Sequence, residues 1–174
     1  MRRLLILSSA VLILFFNVGN VFAESSYVLP YPSAMPGSIW YKIDLVKEKL
    51  SQIFSFGDFS QFDFNLAESD KYLVEAKTLF EYKQYLLGYQ ALIKSDNYFR
   101  KTLPNLASAK RNGKNISEKE KILKNAAFRH EEVLAQLLSQ VPPVFNWTPE
   151  KKPPTNLELK QAIANSIKIT KLYE

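Results

Sequence analysis

Phe62, Leu66, Ser69, Leu73, Ala76 and Phe80 recur at alternating steps of four and three residues. That spacing keeps all six on one face of an α-helix, whereas a strand would scatter them over both of its faces. A coiled-coil-like seam of this length demands a second helix to cover it. The rest of the chain agrees, since 5 glycines beside 12 phenylalanines and 9 tyrosines are too few for a turn-rich β fold. The class this predicts is all-α.

Flanking segments supply the other helices. Ser38 offers an N-cap for a helix from Ile39 to about Phe54, with Trp40, Ile43, Val46 and Leu50 on one face. Ser60 and Asp63 resemble a capping box opening the seam helix, in which Asp70, Lys71, Glu75 and Lys77 lie off the seam. Near Tyr82 the phase changes, and Tyr85, Tyr89, Leu92, Phe99, Leu103 and Leu106 begin a new stripe. A short connection predicts an antiparallel hairpin, which Pro104 should kink or end before a basic loop over 107–115. Ser117-Glu118-Lys119-Glu120 reads as a capping box for a helix lined by Leu123, Ala126, His130, Val133, Leu137 and Val141. Five prolines in 141–155 predict a semi-rigid linker without regular structure. Thr155 and Glu158 then suggest a box opening a final amphipathic helix striped by Leu159, Ile163, Ile167 and Tyr173.

The start of the chain speaks to location. Arg2 and Arg3 precede an apolar run from Leu4 to Phe16, and Val21-Phe22-Ala23 fits a signal-peptidase site. Cleavage would leave Glu24 first and lower the formal charge from +6 to +4 by removing two arginines. Leu4 to Phe22 is also about long enough to serve as an uncleaved anchor. With no cysteine, an exported chain has neither disulfides nor thiolate metal sites, so its stability must come from packing. The organisation expected is a signal peptide over 1–23, a proline-rich lead-in over 24–37, a helical bundle over 38–141, a linker over 142–155 and a C-terminal helix over 156–174.

Little in the chain points to chemistry. His130 is the sole histidine, and its place in an apolar stripe suggests a packing residue rather than a ligand or base. Asp58/Asp63, Glu68/Asp70 and Glu131/Glu132 could serve a hydrolase as paired acids, but their lysine-rich surroundings suggest solvated helix surface. No phosphate-binding loop, nucleophile elbow or zinc-protease motif is present. Catalytic, cofactor and metal residues are therefore expected to be absent. Lys110, Arg111, Lys114, Lys119, Lys121 and Lys124 form a basic stretch able to meet an anionic envelope polymer or lipid headgroups, while export argues against nucleic acid. Phe54, Phe56, Phe59, Phe62 and Phe64 crowd one turn, as an aromatic platform or as core.

Several motifs together suggest a family. Leu29-Pro30-Tyr31-Pro32 followed by Met35-Pro36-Gly37-Ser38-Ile39-Trp40-Tyr41-Lys42 resembles an LPYPG-x-LPDSPLYxLK opening. Phe62, Phe64, Leu66, Ala67, Glu68 and Asp70 match a helix motif, and Lys94-Ser95-Asp96-Asn97-Tyr98-Phe99 matches a hairpin end. His130-Glu131-Glu132-Val133-Leu134 matches a later helix. The chain thus resembles an uncharacterised family of exported bacterial proteins with a domain of unknown function. Gly37 replaces the family's usual acid, and Lys83 stands where a hairpin glycine is usual. The resemblance implies export and a helical fold and brings no activity, cofactor or catalytic residue.

The expected function is an exported, non-enzymatic helical module binding a protein or an envelope component, without a stable membrane span once the leader is removed. A tetratricopeptide-like peptide-binding adaptor built on the hairpin from Tyr72 to Leu103 is the alternative, and an envelope hydrolase comes third. Leu159, Ile163, Ile167 and Tyr173 are the candidate partner contacts.

Overall fold

The computed structural model describes residues 27–151 and 153–173. The expected signal peptide lies outside them. The fold is all-α, with helices α1 (Ile39–Phe54), α2 (Asp58–Glu81), α3 (Tyr85–Arg111), α4 (Ser117–Gln140) and α5 (Leu159–Thr170). Strands β1 (Phe145–Trp147) and β2 (Thr155–Leu157) pair antiparallel between α4 and α5, and a 3-10 turn, Lys171–Tyr173, closes the C-terminal end.

The α2–α3 hairpin is the backbone of the molecule. All six residues of the predicted seam are buried. The two helices approach closely through small residues: the hydroxyls of Ser69 and Ser95 each donate to the other's backbone carbonyl, at 3.0 and 2.9 Å. At Gly88 a Cβ would stand 2.8 Å from the Phe80 ring, so a side chain there would force the helices apart. The turn between them ends α2 in a Schellman motif, with Lys83 N–H donating to Phe80 O and Gln84 N–H to Leu79 O. The motif needs a left-handed residue, and Lys83 takes that role at φ 59°.

Several local expectations are corrected. α2 starts at Asp58, four residues before the seam's first residue, and Ser60 is inside it rather than capping it. An acid at the first helical position suits the positive end of the helix dipole. Asp58 also accepts from Asn112 Nδ2 at 2.9 Å and pairs with Lys114 at 3.2 Å, tying the open end of the hairpin together. Pro104 does not end α3, because Leu106 and Ala109 beyond it are buried and hold the last turns in place. Leu103 is exposed instead of joining the α3 stripe. Ser117 is the first residue of α4, not its cap; Asn115 Oδ1 accepts the Ser117 N–H at 3.0 Å. The β1–β2 ribbon runs into the proline-rich segment, so the irregularity expected there fails at Phe145–Trp147 and Thr155. Thr155 pairs with Trp147 in that ribbon, which removes it from any capping box and delays α5 to Leu159.

Two apolar clusters make the core. One, nearer the hairpin turn, gathers Leu73, Leu79, Leu92, Leu134, Leu137, Leu159 and Ile163. The other, nearer the open end, gathers Phe62, Leu66, Phe99, Leu106, Leu123 and Ile169. Along each of the four helices that build them, the residues between the clusters are polar: Ser69 and Asp70, Ser95 and Asp96, His130, and Ser166.

α5 lies on the bundle against α3 and α4. Leu159 and Ile163 are fully buried there, and Tyr173 packs on Phe99 at a ring separation of 4.8 Å. Any partner contact through Leu159, Ile163, Ile167 and Tyr173 would therefore require α5 to leave the bundle. The buried face also turns from the drawn stripe: Ser166 and Ile169 point inward more fully than Ile167.

Candidate functional site

α1 docks by its polar side. Ser38 Oγ accepts the Trp40 N–H at 3.1 Å and starts the helix as expected. The residues turned toward the bundle are Tyr41, Asp44, Leu45 and Glu48, at the spacing of one helix face. Glu48 is the anchor. Its carboxylate accepts from Tyr72 Oη at 2.6 Å, Tyr98 Oη at 2.7 Å and Lys71 Nζ at 2.9 Å. Lys71 also pairs with Glu68. The Tyr72 and Tyr98 rings stack at 5.9 Å, and Lys94 Nζ lies 4.6 Å from the centre of the Tyr72 ring. One turn away, Tyr41 Oη donates to Glu75 Oε1 at 3.3 Å and receives Lys94 Nζ at 3.4 Å.

Partial burial sets the electrostatics of this cluster. Burial alone would raise the Glu48 carboxyl, but the three donors outweigh it and hold its pKa below the usual value. Glu68 and Glu75 go the other way, raised chiefly by burial. Burial and the neighbouring Glu75 push the Tyr41 hydroxyl up to about 12. The cluster is a charge-assisted clasp with little else to hold α1, since the helix has no fully buried residue.

The consequence is an apolar face turned outward. Ile39, Ile43, Val46, Leu50 and Ile53 follow steps of four and three along its centre. Trp40 at one end is 67 % exposed and Phe54 at the other 69 %, with Phe56 beyond it also exposed. At 100° per residue the arc from Ile53 to Phe54 spans roughly 100° and lies opposite Glu48, with Trp40 just beyond Lys47 at one edge. Lys42 and Lys49 border it on one edge, and Lys47 stands between Phe54 and Trp40 on the other. The expected stripe of Trp40, Ile43, Val46 and Leu50 is thus present, but it faces away from the bundle. The aromatic group divides likewise: Phe62 is core, Phe59 packs against it, and Phe54 and Phe56 belong to the outward face.

A second polar cluster is sealed inside. His130 Nε2 lies 2.6 Å from Asp70 Oδ1, and Tyr27 Oη donates to Asp70 Oδ2 at 2.6 Å. His130 is 2 % exposed and packs on Phe99 at 4.8 Å, so no substrate reaches it in this arrangement. Nearby, Ser166 Oγ donates to Asp96 Oδ2 at 2.8 Å, and burial pushes the Asp96 carboxyl up to about 6. Among the described residues no group of three or more His, Asp or Glu side chains could hold a metal ion.

The paired acids separate. Asp58 and Asp63 meet Lys114 and Lys119, and hydrogen bonds from Asn112 and Ser108 hold the Asp58 carboxyl at about 2. Glu131 meets Lys171 and Glu132 meets Arg129. Glu68 and Asp70 join different clusters, and Asp70 and Glu75 are buried where the spacing placed them off the seam. The reason is that α2 is also covered by α4 and the lead-in at Asp70 and by α1 at Glu75. Lys114 and Lys119, from the basic stretch, are bound to acids of the first turns of α2 and not to solvent alone. Sequence reasoning missed Glu48, Tyr72 and Tyr98 as a group; the only signal was that Glu48 stands directly opposite the apolar arc of its own helix. No family model, no curated protein and no solved structure matches the chain.

Proposed function

We propose that the protein is an exported, non-enzymatic helical module that binds another protein or a cell-envelope component through the outward face of α1. The observation that carries this reading is the reversed docking of that helix, which spends its charged side on the bundle and leaves its apolar side in solvent. A contiguous apolar arc of this kind on a folded chain marks a binding surface. Among the described residues no helix is long and apolar enough to cross a membrane. The Asp70–His130 pair supports a non-enzymatic role because its members bond one another away from solvent. The tetratricopeptide-like adaptor is less well supported, since arms of 24 and 27 residues exceed a repeat unit of about 34 in total.

The test is site-specific photo-crosslinking in the exporting cell. A crosslinker at Val46 should capture an envelope species, one at Lys77 should not, and Leu50→Glu should abolish capture without lowering the melting temperature. No capture from Val46 would remove the reading. Mass spectrometry of the same material should give Glu24 as first residue, and an intact Met1 would overturn cleavage.

A further inference from the structure

Resting on the reading above and naming its partner, we propose that the outward face of α1 docks in the surface of an anionic lipid bilayer. Three features choose this occupant over a second copy or an acidic helix. The first is charge. The acids of α1 are turned inward or occupied, Glu48 by its three donors and Asp44 beside Lys47 at 3.7 Å. What borders the apolar arc is lysine, and Lys42 and Lys49 are both exposed. In a coiled coil with a second copy these lysines would occupy the positions flanking the seam and repel one another. Anionic headgroups complement them.

The second feature is width. A two-helix seam needs only a narrow stripe, whereas this arc is broadened by Phe54 to roughly 100°, with the Trp40 ring beyond Lys47 at its edge. A broad arc suits a helix lying in the plane of an interface with its apolar side sunk by about 5–10 Å. The third is the placement of aromatic rings, with Trp40 at one end of the helix and Phe54 and Phe56 at the other. Aromatic side chains favour the boundary between headgroups and hydrocarbon, so rings at both ends would hold a helix about 24 Å long parallel to that boundary. The clasp fixes the orientation: Glu48 and Tyr41 are held to the bundle, which would sit above the bilayer with α1 beneath it.

The experiment uses the exported chain carrying Trp147→Phe, so that Trp40 is the sole tryptophan. It is mixed with vesicles of phosphatidylcholine alone or of phosphatidylcholine with phosphatidylglycerol. Partitioning should be at least about tenfold stronger on the anionic vesicles, should weaken with salt, and should shift Trp40 emission to the blue. Lys42→Gln with Lys49→Gln should reduce the anionic preference. Val46→Glu with Leu50→Glu should abolish both sedimentation and shift while the melting temperature holds. Absence of binding, or binding that the Val46 and Leu50 pair leaves intact, overturns the proposal. So does a dimer in sedimentation that the same pair dissociates. If vesicles fail while the Val46 crosslinker captures a protein, the lipid proposal falls and the binding reading stands; if both fail, both fall.

Discussion

α2 and α1 are both regular amphipathic helices, and they meet the rest of the molecule by opposite faces. α2 puts its seam of Phe62, Leu66, Leu73 and Phe80 against its neighbours. α1, whose central stripe repeats with the same alternation of four and three, puts Glu48 and Tyr41 there instead. Periodicity locates the apolar side of a helix but does not say what that side will meet. The choice at α1 is made by the surface it lands on, where the Tyr72 and Tyr98 hydroxyls and the Lys71 ammonium require an acceptor, and Glu48 supplies it.

The sharpest way to break the contrast is to delete equivalent side chains from the two helices. Leu73→Ala should cost about 2–5 kcal/mol in urea unfolding, since Leu73 is 1 % exposed and its removal leaves a cavity. A loss near zero would mean that the hairpin is not the stable half.

The next largest effect concerns the interior layer rather than either helix face. Asp96 holds its proton up to about 6 when folded and only to about 3.8 when unfolded. Between those values the folded state binds more protons, so stability falls as pH rises and the loss is complete above the upper one. Asp96→Asn keeps an acceptor for Ser166 and lacks that titration. It should gain about 1–3 kcal/mol near neutral pH and little at about pH 3. A variant parallel to the parent at every pH would refute the cause given for the shift.

Glu48 should behave in the reverse sense, because its folded pKa is depressed. Its contribution is present above the unfolded value of 4.5 and is lost as pH falls through the lower folded value. Glu48→Gln should loosen α1 by about 1–2 kcal/mol at neutral pH. The readout is faster amide hydrogen exchange confined to 39–54, with α2 protected as before. Exchange that quickens throughout the hairpin would show that the clasp supports more than α1.

Leu50→Ala is the counterpart of Leu73→Ala and the smallest effect. Leu50 is 50 % exposed, and its truncation should change stability by less than about 0.5 kcal/mol. Equal losses at Leu50 and Leu73 would erase the distinction between the two helices.

The helices themselves were legible from spacing, above all the seam of α2 and the face of α4 that includes His130. Their ends were less so. Ser60, Ser117 and Thr155 each have the chemistry of a cap, yet neighbouring residues took the position because packing fixed where each helix begins. The turn at Lys83 was not legible, since it imposes φ 59° on a residue that is not glycine. The clasp was not readable. Glu48 and Tyr98 are fifty positions apart, and only the fold brings an acceptor on one helix to a hydroxyl on another. Asp70 and Ser166 were hidden for the same reason: a polar residue facing inward looks solvated until its partner is known.

The polar layer between the two apolar clusters has a mechanical consequence. Ser69 with Ser95, Asp70 with His130, and Asp96 with Ser166 join four helices at one level. Sliding any of them by one turn, about 5.4 Å, would break its pairing and bring polar groups against leucine. The bundle is therefore keyed against piston-like strokes. Any loosening of the fold would start at the periphery, where α1 is held from one side only by the Glu48 clasp.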